Sequence, residues 1–168
     1  MLVPMSNRIA VSSVAEPRLD LDAAVPEVYR AQIRLSQAAG EAFLAAGLSS
    51  ALLKLIRMRA SQVNGCAFCI DMHSKDARHA GEREDRLYLL DAWREAPQYD
   101  EVERAVLALV EAITLVSQGH VSDEVWEEAG SVLNPEQVAA VIAATVAING
   151  WNRIAVATRM MPGRYQPS

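Results

Sequence analysis

The sequence predicts an all-α fold, a single-domain helical bundle of about six to seven helices. Three observations predict it. From Leu19 onward apolar residues recur at three- and four-residue spacings, and the valine runs do not alternate with polar residues at period two. Helix start and stop signals divide the chain at regular intervals, with Pro26, Asp100, Ser122 and Pro135 at openings and Gly47, Gly65 and Gly81 at closings. At 168 residues and 51% hydrophobic content, the chain is long enough to bury one sizeable core.

The elements follow in order. Residues 1–18 read as an N-terminal arm flanked by Pro4 and Pro17, with a short strand over residues 7–11. Residues 19–160 read as the helical domain and 161–168 as a C-terminal tail. The first helix covers about 26–46: Pro26 suits the first turn, where its missing N–H is not needed, and Gly47 ends it. The second follows Ser49 or Ser50 as N-cap and places Leu52, Leu55, Ile56, Arg59, Ala60 and Val63 at helical spacing until Asn64-Gly65 breaks it. The third opens at Cys66, continues through Ala77 and ends at 79–81. The fourth covers about 83–95 and stops before Pro97. Asp100 caps the fifth, which carries Val102, Val106, Leu109, Val110, Ile113 and Val116 along one side. Ser122 caps the sixth, which ends at 133–135. The last helix, about 135–158, is apolar almost all round and belongs in the core. Pro162 and Pro167 mark a loose tail.

Composition narrows the function. A net charge of −5 offers no basic face for a nucleic acid. The longest apolar stretch, residues 138–148, is broken by Thr145 and falls short of the ~18 residues that span a bilayer. The N-terminus lacks a charged region followed by a continuous apolar core, so no secretory signal is expected and the cytoplasm is the expected compartment. In such a reducing compartment a two-cysteine chain uses its thiols for catalysis or metal binding more often than for a structural staple.

Both cysteines lie in the segment Asn64-Gly65-Cys66-Ala67-Phe68-Cys69-Ile70-Asp71-Met72-His73. A CxxC pair at a helix N-terminus meets unpaired N–H groups and the positive end of the helix dipole, which favour a thiolate. His73 follows Cys69 by one turn on the same face, where it can take or give a proton. Three readings stand at this point. The pair is a redox centre of Cys66, Cys69 and His73; or it is two small buried apolar side chains; or the three residues bind zinc with His79 or His120 as fourth ligand. The absence of a second CxxC weighs against zinc, so no metal and no cofactor is expected. By helix position alone, Cys66 is the thiol of lower pKa. In the last helix, Trp151 and Asn152 are expected to form a hydrogen-bonded structural set, with a place in the wall of the thiol pocket as the alternative.

The stretch LLKLIRMRASQVNGCAFCIDMHSKDARHAGE, with CxxC followed by three residues and His, resembles the alkylhydroperoxidase D-like branch of the carboxymuconolactone decarboxylase superfamily. WREAPQYDEVERAVLALVEAIT and INGWNRIAV are similar to it as well, so the likeness spans residues 48–156. The resemblance implies a helical bundle of that type, assembled as a trimer or hexamer. It also implies reduction of hydroperoxides through the CxxC pair, recycled by a thiol reductant, either a protein or a small thiol. On that resemblance Cys69 attacks the peroxide, Cys66 resolves the sulfenic acid and His73 belongs to the proton relay. Decarboxylation, which needs no thiol pair, fits the motif less well than peroxidase chemistry does. A redox-sensing oligomer with weak turnover, or a disulfide oxidoreductase, is the alternative.

The sequence departs from the family pattern twice. Lys54 stands where the family relay has a glutamate, twelve residues before the first cysteine, and Phe68 stands where the type enzyme has a histidine. Lysine has no acceptor for an imidazole N–H, which predicts slow turnover that Lys54→Glu would raise. The other reading of Lys54 is a charge that holds the thiolate. Glu41, Glu103 and Glu111 are the candidates to supply the missing carboxylate from another helix.

Overall fold

The computed structural model describes residues 16–167, and every regular element among them is helical. The strand expected over 7–11 lies outside the described residues. Among the described residues there are eight α-helices: α1 (Leu21–Ala24), α2 (Pro26–Ala45), α3 (Ser50–Val63), α4 (Ala67–His79), α5 (Glu84–Leu89), α6 (Glu101–Thr114), α7 (Asp123–Val132) and α8 (Pro135–Thr158). The count exceeds six to seven because α1 is a single turn. Asp20 makes it, its carboxylate accepting from the N–H groups of Asp22 and Ala23. The helix expected over 83–95 is shorter than its pattern. α5 tightens into a 3₁₀ turn over Leu90–Ala92, and the chain leaves helical geometry well before Pro97.

The predicted punctuation has physical causes. Asp100 and Glu103 cap α6 reciprocally, as Asn134 and Gln137 cap α8. The hinge that matters most follows α3. Gly65 adopts φ +63°, a left-handed conformation that glycine enters without strain. Its N–H bonds to Gln62 O and that of Cys66 to Ser61 O, so the two orphan carbonyls of α3 are satisfied. Cys66 then serves as N-cap of α4, its Sγ accepting from Cys69 N at 3.3 Å.

α8 runs through the middle, with α2, α3 and α6 packed on it. It is long and apolar enough to cross a membrane by composition alone, and here it supplies Val141, Ala144 and Ile148 to a core shared with Phe43, Leu52, Ile56, Val106, Leu109 and Val110. Burying side chains of this size stabilises the bundle by roughly 1.5–3 kcal/mol each. Polar groups at the α3 end of this core are paired. Asn64 donates to Asn149 Oδ1 at 2.9 Å and Asn152 Oδ1 at 2.8 Å, and Asn152 donates to Ser61 Oγ at 3.0 Å. This network ties the turn before Cys66 to α8.

The C-terminal tail is not loose over its described part. Gly163 N donates to Asp71 Oδ2 at 2.9 Å, Lys75 Nζ to Tyr165 O at 3.1 Å, and the Tyr165 hydroxyl to Asp76 Oδ1 at 2.5 Å. Three polar side chains along α4 thereby hold the tail across it, which prolines at 162 and 167 did not signal.

Candidate active site

Cys66 and Cys69 are joined as a disulfide, with their Cα atoms 5.4 Å apart. Both are about 1% exposed and pack against Ala155, Phe68 and Met160. His73, one turn along α4, is 7% exposed. Cys69 and His73 both line a cavity of about 320 Å³ bounded by α2, α3, α4 and α8 and open to one side. Its wall is largely apolar, including Ile33, Ala144, Ala147, Ile148 and Met160. The polar groups among its lining residues are few, as in most small-molecule pockets.

The imidazole is the most perturbed of them. Burial, and then the nearby Arg57 guanidinium, pull the His73 pKa from 6.5 to about 3. His73 is therefore a neutral base at any ordinary pH. Its Nε2 is buried with no hydrogen-bond partner, and the Asp76 carboxylate lies 3.9 Å from Nδ1. Asp76 in turn accepts from Tyr165, and this bond raises the phenol above its usual value of 10.0.

Of the expected site residues, the fold brings Cys66, Cys69 and His73 together. Trp151 combines the two roles expected for it. Its indole N–H donates to Ser36 Oγ at 2.7 Å, its ring meets Tyr29 edge-on at 5.1 Å, and it lines the cavity. Asn152 is structural, held in the Asn64–Ser61 network. His79 and His120 are exposed and line no part of the cavity. Among the described residues no three His, Cys, Asp or Glu side chains converge on a point that would hold a metal ion.

The expected carboxylates lie elsewhere. Glu111 is taken by Arg59, Trp93 and Arg94, Glu103 by Arg86, and Glu41 lines a groove outside the cavity. Lys54 is also absent from the cavity wall, its ammonium turned to Ser50 O at 3.4 Å. Two charged residues take these places, Asp76 and Arg57. Asp76 had a signal in the sequence, an acid three residues after His73 on one helical face. Arg57 had one too, one turn nearer the cysteines than Lys54.

The carboxymuconolactone decarboxylase family profile matches residues 26–112. An uncharacterized protein of Bacillus subtilis (strain 168), YdfG, is 46% identical over 104 residues, covering 62% of this chain and 71% of its own. A crystal structure from Agrobacterium tumefaciens, a protein of unknown function for which an antioxidant-defence role as AhpD has been suggested, is 37% identical. It covers 89% of this chain and all of its own with a TM-score of 0.83. The debrominase Bmp8, solved in complex with 2,3,4-tribromopyrrole, has a TM-score of 0.65 at 21% identity over 76% of this chain and 70% of its own, and shares the fold alone. The chain thus belongs to the carboxymuconolactone decarboxylase family, in its alkylhydroperoxidase D-like branch.

Proposed function

We propose that the protein is a thiol-dependent peroxidase that reduces organic hydroperoxides through Cys66 and Cys69. The observation that carries this reading is the placement of Cys69 and a neutral His73 on one mainly apolar cavity. In the reduced protein, His73 takes the proton of the Cys69 thiol only as the sulfur attacks, because so weak a base does not hold it at rest. The sulfur attacks the distal peroxide oxygen, the O–O bond breaks, and the departing alkoxide takes the proton back as an alcohol. Cys69 is left as a sulfenic acid, which the Cys66 thiol displaces with loss of water, giving the disulfide. A thiol reductant returns both cysteines to thiols. The burial of both sulfurs favours a small thiol over the surface of a protein.

Cys69 is assigned as the attacking thiol because it lines the cavity with His73, whereas Cys66 is absent from the lining and its Sγ faces the backbone N–H of Cys69. Asp76, a carboxylate of the same cavity wall 3.9 Å from Nδ1, would offset the charge that the imidazole gains. Cys69→Ser is expected to abolish consumption of cumene hydroperoxide, while Cys66→Ser leaves a sulfenic acid on Cys69 that dimedone captures. Capture on Cys66 in the Cys69→Ser protein, with none in the reverse variant, would invert the assignment. A wild-type protein whose thiols stay free after one equivalent of hydroperoxide removes the peroxidase reading, leaving disulfide exchange or redox sensing.

A further inference from the structure

Arg57 differs from every other half-buried cation among the described residues. Arg59, Lys75, Arg86 and Arg104 each donate to carboxylates or backbone carbonyls, whereas the Arg57 guanidinium makes no hydrogen bond or ion pair. Burial lowers its pKa and the charge of Asp76 in the cavity opposes that, yet neither Asp76 nor Glu41 in the adjoining groove forms an ion pair with it. Its position is defined: a Cβ on Gly40 would lie 3.4 Å from a guanidinium nitrogen, so the group rests against a glycine of α2. Arg57 lines both the cavity and the shallow groove outside it, together with Ile33, Ser36, Gly40 and Trp151. It stands where the two meet.

An unpaired guanidinium at the mouth of an apolar chamber is a costly arrangement unless an anion completes it. The planar fork of arginine matches a carboxylate. The chamber it borders is walled by Ala144, Ala147 and Ile148, and a second polar contact is offered by the unpartnered His73 Nε2. One ligand chemistry answers all three features: a charged group for Arg57, a short apolar body for the wall and a further polar group within reach of His73. We infer that the cavity binds an amphipathic carboxylate at Arg57 and that, on the peroxidase reading above, the preferred substrate is a hydroperoxide bearing a carboxylate. The competing role for Arg57 is a counter-charge for the Cys69 thiolate, which would favour no substrate over another.

The test separates the two and does not depend on turnover. Calorimetry on the oxidised protein compares octanoate with octan-1-ol, which share the apolar body. Octanoate is expected to bind roughly 10- to 100-fold tighter, the scale of a hydrogen-bonded charge pair. Arg57→Gln should erase that preference and Arg57→Lys should keep part of it. Equal binding of acid and alcohol by the wild type overturns the inference, as does undetectable octanoate binding at millimolar concentration, or a preference that survives Arg57→Gln. A second arm follows turnover of a medium-chain hydroperoxy acid and its methyl ester, with a lower KM expected for the acid. Octanoate binding without hydroperoxide turnover keeps the anion site and sinks the peroxidase reading. Turnover indifferent to the carboxylate, with no octanoate binding, sinks this inference alone.

Discussion

On the α5–α6 side of the bundle, Glu111 accepts from Arg59 at 2.6 Å and from the Trp93 indole at 2.7 Å, and pairs with Arg94 at 2.6 Å. On the α4–α8 side, His73 Nε2 is buried with no hydrogen-bond partner, and Arg57 on the same cavity wall makes no ion pair, with only the charge of Asp76 opposing its burial. Both regions hold charge or polarity away from water. Burial alone would raise the Glu111 pKa, yet its three donors outweigh that and hold it below the ordinary value. At His73 burial acts unopposed, and Arg57 adds to it. The first region spends its polar groups on each other and so fixes the packing of Trp93, Leu90 and Tyr99. The second leaves them unspent, an arrangement that the proposed carboxylate ligand would complete.

The contrast predicts opposite responses to deletion. Glu111→Ala strands a buried guanidinium and an indole N–H, and should lower unfolding stability by about 3–5 kcal/mol. Arg57→Gln relieves the burial of a charge that makes no ion pair, and should leave stability unchanged or raise it. Urea unfolding of the two proteins settles it. A larger loss at Arg57 than at Glu111 would mean that the cavity charge is structural.

A second prediction concerns pH. The native state keeps His73 unprotonated down to about 3, while the unfolded chain takes the proton near 6.5. Below 6.5 the unfolded state therefore binds more protons, and stability falls as pH falls through the window from 6.5 to 3. At 1.36 kcal/mol per unit, the loss between pH 6.5 and 5 is about 2 kcal/mol. The carboxylates held low, such as Glu111 and Asp71, act in the same direction but from ordinary values of 4.5 and 3.8, so the upper part of the window belongs to His73. Stability curves of wild type and His73→Gln should diverge there. A wild-type curve that stays flat from 6.5 to 5 would show that the imidazole is wetter than its packing indicates.

The sequence carried the helices well because caps and glycines act locally. Asp100 with Glu103, Asn134 with Gln137, and Gly65 with its left-handed turn each work within one turn of the chain. The pairing of Cys66, Cys69 and His73 was legible for the same reason, since eight consecutive residues contain it. The rest of the site is assembled from a distance. Arg57 reaches the cavity only because α3 folds back beside α4, and Tyr165 reaches Asp76 across 89 residues. Arg59 shows the limit in the other direction: it fell on the apolar face of its helix by spacing, and its role as the partner of Glu111 on α6 depended on a contact 52 residues away.

Lys54 gives the smallest expected effect and the finest test. A carboxylate at that position was expected to speed a relay that a lysine leaves incomplete. The structure directs the Lys54 ammonium to the Ser50 carbonyl and keeps the residue out of the cavity wall, while Asp76 supplies a carboxylate 3.9 Å from His73 Nδ1. On the proposed mechanism the carboxylate facing the imidazole is therefore Asp76 on α4, held in place by the Tyr165 hydroxyl, and not a residue at position 54. Asp76→Asn keeps an acceptor for the Tyr165 hydroxyl but removes the charge facing His73. At this separation a unit charge is worth about 1 kcal/mol even at the dielectric of water, so the hydroperoxide reaction should slow by roughly 5-fold or more. Lys54→Glu alters a charge outside the cavity and should change the rate by no more than about twofold, the scale of exposed charges. Stopped-flow rates for the two variants, with folding checked by circular dichroism, decide between the positions. A tenfold gain from Lys54→Glu alongside an unaffected Asp76→Asn would return the relay to position 54 and remove Asp76 from it.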